Sequence, residues 1–223
     1  MRVLVLDNRD ASTPVLVKAL EELEAECEVR FPDKIDLPGI LELRPRRILI
    51  TPGPGAPEDS GVCRKVVQDL AGQIPILGVC LGMQVIAEVA GARLLPPKKK
   101  PAAKKAVAAA SEVAGAKKVT TRRKKAPETL DPKLLRRMRH DSKGIFEALP
   151  SPLTIGHYEA QRVDGNHEPP FVEFSAWSEE DGSVLGLRLS GLGVEGVQFS
   201  PASFLTQAGN DMLFNFLYRS QTW

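Results

Sequence analysis

Cys80 is the residue of this sequence best placed to do chemistry. It closes an apolar run from Ile74 to Val79, has Gly78 and Gly82 two positions away on either side, and is followed by the apolar helical pattern from Leu81 to Ala90. That is the pattern of a nucleophile elbow, in which a sharp strand-to-helix bend presents the reactive side chain and neighbouring chains pass too close for anything but glycine. A helix starting just after Cys80 also directs unpaired N–H groups and its positive dipole end at the sulfur, which favours thiolate over thiol. A buried cysteine that only packs is the alternative. Glycines on both flanks of a strand-to-helix switch favour the nucleophile.

The elements that must position Cys80 alternate between strands and helices. Arg2 to Asp7 reads as a buried first strand, and Pro14 opens a helix with Val15, Leu16, Ala19, Leu20 and Leu23 at helical spacing. Cys27 to Phe31 reads as a strand, Ile40 to Leu43 as a short helix, and Arg47 to Thr51 as a third strand. That strand runs into Pro52-Gly53-Pro54-Gly55-Ala56-Pro57, which can continue neither strand nor helix and must turn in a rigid loop. Cys63 to Ala71 reads as a helix leading to the strand before Cys80. The expected fold is therefore α/β, with a mostly parallel open central sheet flanked by helices in three layers. Ligands of such sheets bind beyond the carboxyl ends of the strands, where the Pro-Gly loop and Cys80 both fall.

Beyond Leu95 the pattern breaks. Residues 96–133 are rich in Lys, Ala and Pro, and cannot bury enough apolar surface to offset their ordering entropy. Lys98 to Lys125 holds eleven Lys and Arg against the single acid Glu112, leaving 19 basic and 27 acidic residues of the total 30 and 28 for the rest of the chain. The net charge of +2 thus hides an acidic body with a basic insertion. That insertion lacks interleaved aromatics and any reading module, so it reads as a solvated surface segment and not as a nucleic-acid site. From Gly144 on, Ile145 to Leu149 reads as a helical turn. Pro152 to Arg162, Phe171 to Ser178, Val184 to Leu189 and Val194 to Phe199 read as strands, with Asp181-Gly182 as a hairpin turn. Asn210 to Tyr218 closes the chain as a packing helix. A chain of 223 residues buries about 70% of its unfolded surface and needs no disulfide or metal to hold a core. Three cysteines, an odd and sparse set, point to a reducing compartment. No apolar run reaches membrane-spanning length and the start does not read as a signal peptide, so the expectation is a single cytoplasmic domain over residues 1–223.

Three segments, Thr51 to Pro57, Gly78-Val79-Cys80-Leu81-Gly82-Met83-Gln84 and Val194-Glu195-Gly196-Val197-Gln198-Phe199, resemble the three signatures of class I glutamine amidotransferase domains. Asp7-Asn8, the Pro-Gly-Pro-Gly form of the loop and Asn215-Phe216-Leu217 resemble the small subunits of anthranilate synthase and aminodeoxychorismate synthase. The resemblance implies a cysteine that attacks the side-chain amide of glutamine, forms a thioester and releases ammonia through a channel to a chorismate-using synthase large subunit. On these residues Cys80 would be the nucleophile. The N–H of Leu81 and one from the loop Gly53, Pro54, Gly55 would hold the oxyanion. Gln84 matches a substrate-binding position, and Ala160 and Gln161 align with the Ser-Leu pair that holds the glutamine backbone. No cofactor and no metal is expected.

The third signature ends differently. Where the family has His-Pro-Glu-Ser, this chain has Ser200-Pro201-Ala202-Ser203, so the proton-carrying histidine is replaced by Ser200 and its orienting glutamate by Ala202. Serine has no usable proton affinity near neutral pH. Of the three histidines, His140 and His167 read as surface loop, and His157, beside Tyr158, is the one substitute base near the glutamine site. The expectation is a glutamine amidotransferase subunit of anthranilate or aminodeoxychorismate synthase, serving tryptophan or folate biosynthesis, with impaired glutaminase chemistry. The alternative is an inactive homologue with a structural or regulatory role on its partner. Nucleic-acid binding through the basic insertion comes last.

Overall fold

The computed structural model describes residues 1–97, 134–156 and 160–219. The basic insertion from Lys98 on, together with His157, Tyr158 and Glu159, lies outside the described residues.

The chain runs β1 (Arg2–Leu6), α1 (Thr13–Glu22), β2 (Glu26–Arg30), α2 (Leu37–Leu43), β3 (Arg47–Ile50), α3 (Cys63–Leu70), β4 (Ile76–Val79) and α4 (Leu81–Val89). There follow β5 (Leu94–Leu95), β6 (Leu135–His140), β7 (Leu153–Gly156), β8 (Arg162–Val163), β9 (Val172–Ser178), β10 (Val184–Leu189), β11 (Val194–Val197) and α5 (Gly209–Tyr218). Nine strands form one sheet in the order β2-β1-β3-β4-β11-β10-β9-β6-β7. The half from β2 to β11 is parallel, and the strands beyond β11 pair antiparallel.

Side-chain alternation builds the three layers. Val3 and Val5 of β1, Leu49 of β3 and Leu77 and Val79 of β4 face a core closed by α1 and α5, through Leu16, Ala19, Leu20, Met212, Leu213, Phe216 and Leu217. Leu4, Leu6, Ile48, Ile50 and Ile76 face the opposite core, closed by Ile40 of α2, Val66, Val67 and Leu70 of α3 and Val85, Ile86 and Ala87 of α4. Strands apolar on both faces are what a sheet covered on both sides requires. β2 departs from that pattern. As the edge strand of the sheet it leaves Glu26 and Arg30 exposed, and charge there blunts an open row of hydrogen-bonding groups.

Three expectations are corrected. The stretch expected as one strand from Pro152 to Arg162 is two elements: β7 pairs with β6, while β8 pairs with β5 in a separate two-stranded sheet. Leu135–His140, where no strand was expected, is β6, whose arginines mask a strand that buries only Met138 and His140. His140 is accordingly not in a surface loop. It is 8% exposed, stacks on Phe146 at 4.9 Å between ring centroids, and has Nε2 2.9 Å from the Pro150 carbonyl. His167, by contrast, is exposed in a loop.

β11 is pinned by a buried charge cluster. Arg188 of β10 donates to both carboxylate oxygens of Asp141, at 2.6 and 3.1 Å. Glu195 of β11 accepts from the Ile145 N–H at 3.1 and 3.3 Å, and Asn215 Nδ2 donates to the carbonyls of Ile145 and Glu147 at 3.0 and 2.9 Å. Burial pushes the Glu195 carboxyl up to about 7, against the pull of Arg188, whose Nε stands 3.8 Å away while its fork is taken by Asp141. A carboxyl raised in the folded state holds its proton where the unfolded chain releases it. The stability it contributes is full below about pH 4.5 and is lost as pH rises through 7. Glu195→Gln should remove that dependence: in paired urea unfolding series the wild type should lose up to about 3 kcal/mol relative to the variant between pH 5 and 8. Parallel curves for the two proteins would contradict this assignment.

Candidate functional site

Cys80 sits between β4 and α4 with φ 52° and ψ −103°, a backbone region that a non-glycine residue occupies only under constraint. Its N–H donates to the Val197 carbonyl at 2.8 Å and its carbonyl accepts from the Gln84 N–H at 3.1 Å, so the bend is held from β11 and from within α4. The flanking glycines are required by close approach. A Cβ on Gly78 would lie 2.4 Å from the carbonyl carbon of Gly82, and one on Gly82 would lie 2.4 Å from the Ile50 carbonyl oxygen. The elbow read from sequence is therefore present, with β3, β4 and α4 in main-chain contact around it.

The Pro-Gly loop comes to the same place. Asn8, just past β1, donates its N–H to the Thr51 hydroxyl oxygen at 2.9 Å and its Nδ2 to the Thr51 carbonyl at 2.9 Å, tying the end of β1 to the start of the loop. A Cβ on Gly53 would lie 2.4 Å from Asn8 Cβ and 3.0 Å from Leu81 Cδ2. Gly53 and Leu81, the two residues expected to supply oxyanion donors, are thus neighbours. Pro54 and Gly55 are exposed, and Gly55 has φ +93°, which glycine adopts freely.

Gln84 is 3% exposed and donates Nε2 to the main-chain carbonyl of Gln161 at 3.0 Å. Gln84 and Gln161, each expected at the substrate site, are brought together, with Ala160, half-buried, next to Gln161 in the chain. The contact is made to main chain, so it does not depend on the side chain at 161. The Gln161 Oε1 is buried without a partner among the described residues.

The group that reaches the sulfur comes from a residue not singled out in the sequence. Gln198 Nε2 donates to Cys80 Sγ at 3.4 Å, and Gln198 is 4% exposed. Gln198 follows β11 directly, and the pairing of β11 with β4 carries it to the end of β4, where Cys80 stands. Ser200 and Ala202 follow, half-buried, the Ser200 carbonyl accepting from the Thr206 hydroxyl at 2.9 Å and Ala202 packing on the core that Cys80 also borders. Burial pushes the Cys80 thiol up to about 11; the Leu81 N–H and Gln198 pull it down, and Asp10 raises it further. This corrects the thiolate expectation, because desolvation outweighs the helix N-terminus. At neutral pH Cys80 is held as a thiol.

Among the described residues no group of His, Cys, Asp and Glu is arranged to hold a metal ion, and no helix is long and apolar enough to cross a membrane.

Comparison with known proteins gives a consistent picture. Residues 4–220 match the family model "Glutamine amidotransferase class-I". The chain is 36% identical over 217 residues to aminodeoxychorismate synthase component 2 of Klebsiella aerogenes, covering 97% of this chain and 100% of that one. It is 34% identical over 216 residues to anthranilate synthase component 2 of Cyanophora paradoxa, covering 96% and 97%. In fold it is similar to a crystal structure of a glutamine amidotransferase from Thermotoga maritima, with TM-score 0.69 at 14% identity over 99% of this chain and 97% of that one. With the elbow, the loop and Gln84 in place around Cys80, this chain belongs to the class I glutamine amidotransferases.

Proposed function

We propose that the chain is the small subunit of a chorismate-using synthase, of the anthranilate or aminodeoxychorismate kind, acting in the cytoplasm. It keeps the glutamine socket and the docking role, while its own glutaminase chemistry is impaired. The single observation that carries the impairment is that the side chain bonded to Cys80 Sγ, a thiol raised to about 11, is an amide and not a base. Attack on glutamine needs the thiol proton to move to a base and then to the departing nitrogen. Gln198 offers neither step, and Ser200 and Ala202 stand where the family carries its histidine and glutamate. Among the described residues, Leu81 and Gly53 stand together for the oxyanion, and Gln84 meets Gln161 for the substrate. A socket kept without its base fits a subunit that docks on its synthase while the synthase draws on free ammonia. The chain is a single amidotransferase domain that carries the basic insertion at residues 96–133.

Mixing the purified chain with its chorismate-using partner tests this. The two should co-elute, and product formation should respond to ammonium and not to glutamine. Cys80→Ala should leave both results unchanged. Glutamine-driven product formation that Cys80→Ala abolishes would overturn the proposal.

A further inference from the structure

Gln198 is a carboxamide placed with one end on the nucleophile. Its Nε2 donates to Cys80 Sγ at 3.4 Å, while its Oε1 is buried with no partner among the described residues. A buried acceptor without a donor is costly, and native proteins seldom keep one without a reason. Asn215, with the same amide chemistry on α5, spends its Nδ2 on two main-chain carbonyls and thereby serves the fold. Gln198 spends its donor on the reacting atom. We infer that Gln198 is a catalytic residue of the Cys80 site: its Nε2 supports the sulfur as thiolate, and its Oε1 is kept as the acceptor for an N–H of a primary carboxamide ligand.

The geometry gives the two ends one task. Nε2 and Oε1 sit on one carbon, so a donor bound to Oε1 is held close to the sulfur that Nε2 meets. The main chain under both residues is held, the Cys80 N–H by the Val197 carbonyl and the Gln198 N–H by the Leu185 carbonyl at 2.9 Å. The inference rests on reading Cys80 as a glutaminase-type nucleophile, and it adds a donor to the sulfur that the replacement of histidine and glutamate does not remove.

The test is the rate at which iodoacetamide modifies Cys80 at pH 8.5, read from the mass of the Cys80 peptide in wild type, Gln198→Met and Gln198→Glu. Cys63, fully buried, should stay unmodified in every folded variant and so reports integrity in the same sample. Loss of a hydrogen bond to a charged group lowers thiolate population by about tenfold or more, partly offset by the greater nucleophilicity of the more basic sulfur. Gln198→Met should therefore react about 3- to 10-fold more slowly. Gln198→Glu, isosteric but carrying like charge, should be slower still. Rates for both variants at or above that of wild type would overturn the inference and leave the impaired-glutaminase proposal standing. Glutamine turnover by the unmodified wild type would overturn that proposal and leave the alkylation result standing.

Discussion

The double variant Ser200→His, Ala202→Glu should hydrolyse glutamine about 10²- to 10⁴-fold faster than the wild type, the range that general acid-base catalysis is worth. The expectation follows from register. β11 is paired with β4 so that Gly196 lies opposite Gly78 and Val197 opposite Val79, and the Cys80 N–H is bonded to Val197. Gln198 then meets the sulfur, and residue 200, where the family carries its histidine, follows two positions on. Its backbone is anchored, with its carbonyl taken by the Thr206 hydroxyl and by the Ser203 N–H at 3.2 Å. An imidazole there would meet a thiol that burial has raised to about 11 and would gain from the ion pair formed on proton transfer. Glutamate at 202 would fix its tautomer. Positions 200 and 202 are half-buried and not sealed in the core. Ser200→His alone should recover less. A folded double variant with no ammonia release would show that more than these two residues is missing.

Gly82→Ala should cost about 3 kcal/mol, the upper end of what overpacking usually costs. The clash is between main chains: the new Cβ would lie 2.4 Å from the Ile50 carbonyl oxygen, and no side chain can rotate away to relieve it. β3 and α4 would have to part, and Cys80 moves with the start of α4. The variant should therefore lose both stability in urea and the activity gained by the double variant. A midpoint within about 0.5 kcal/mol of wild type would mean that the elbow is looser than its glycine contacts imply.

Much of this was legible in the residues. β1, β3 and β4 are short apolar runs, and a doubly covered sheet wants such strands; the glycines around Cys80 and the Pro-Gly loop carry backbone requirements that no other residue meets. β6 was hidden because Arg136, Arg137 and Arg139 interrupt its pattern, and its order depends on pairing with β7 and β9, contacts far away in sequence. The break between β7 and β8 was hidden for a related reason, since Leu94 and Leu95 are what Val163 and Arg162 pair with. At the site, a helix N-terminus suggested a low thiol pKa, but the same packing that builds the elbow takes the sulfur out of water, and desolvation is the larger effect. Gln198 lay within a segment already recognised as part of the family pattern. Its contact with Cys80 depends on the register of β11 against β4, which strand alternation within β11 alone does not give.

The central claim is that Cys80 is a glutaminase nucleophile without the base that would drive it. Ammonia release from glutamine by the wild-type chain, alone and with its synthase partner, tests it most directly. The expected result is no release above that of Cys80→Ala under either condition. Release at a rate typical of a working enzyme, on the order of 1 per second or faster and abolished by Cys80→Ala, would contradict it.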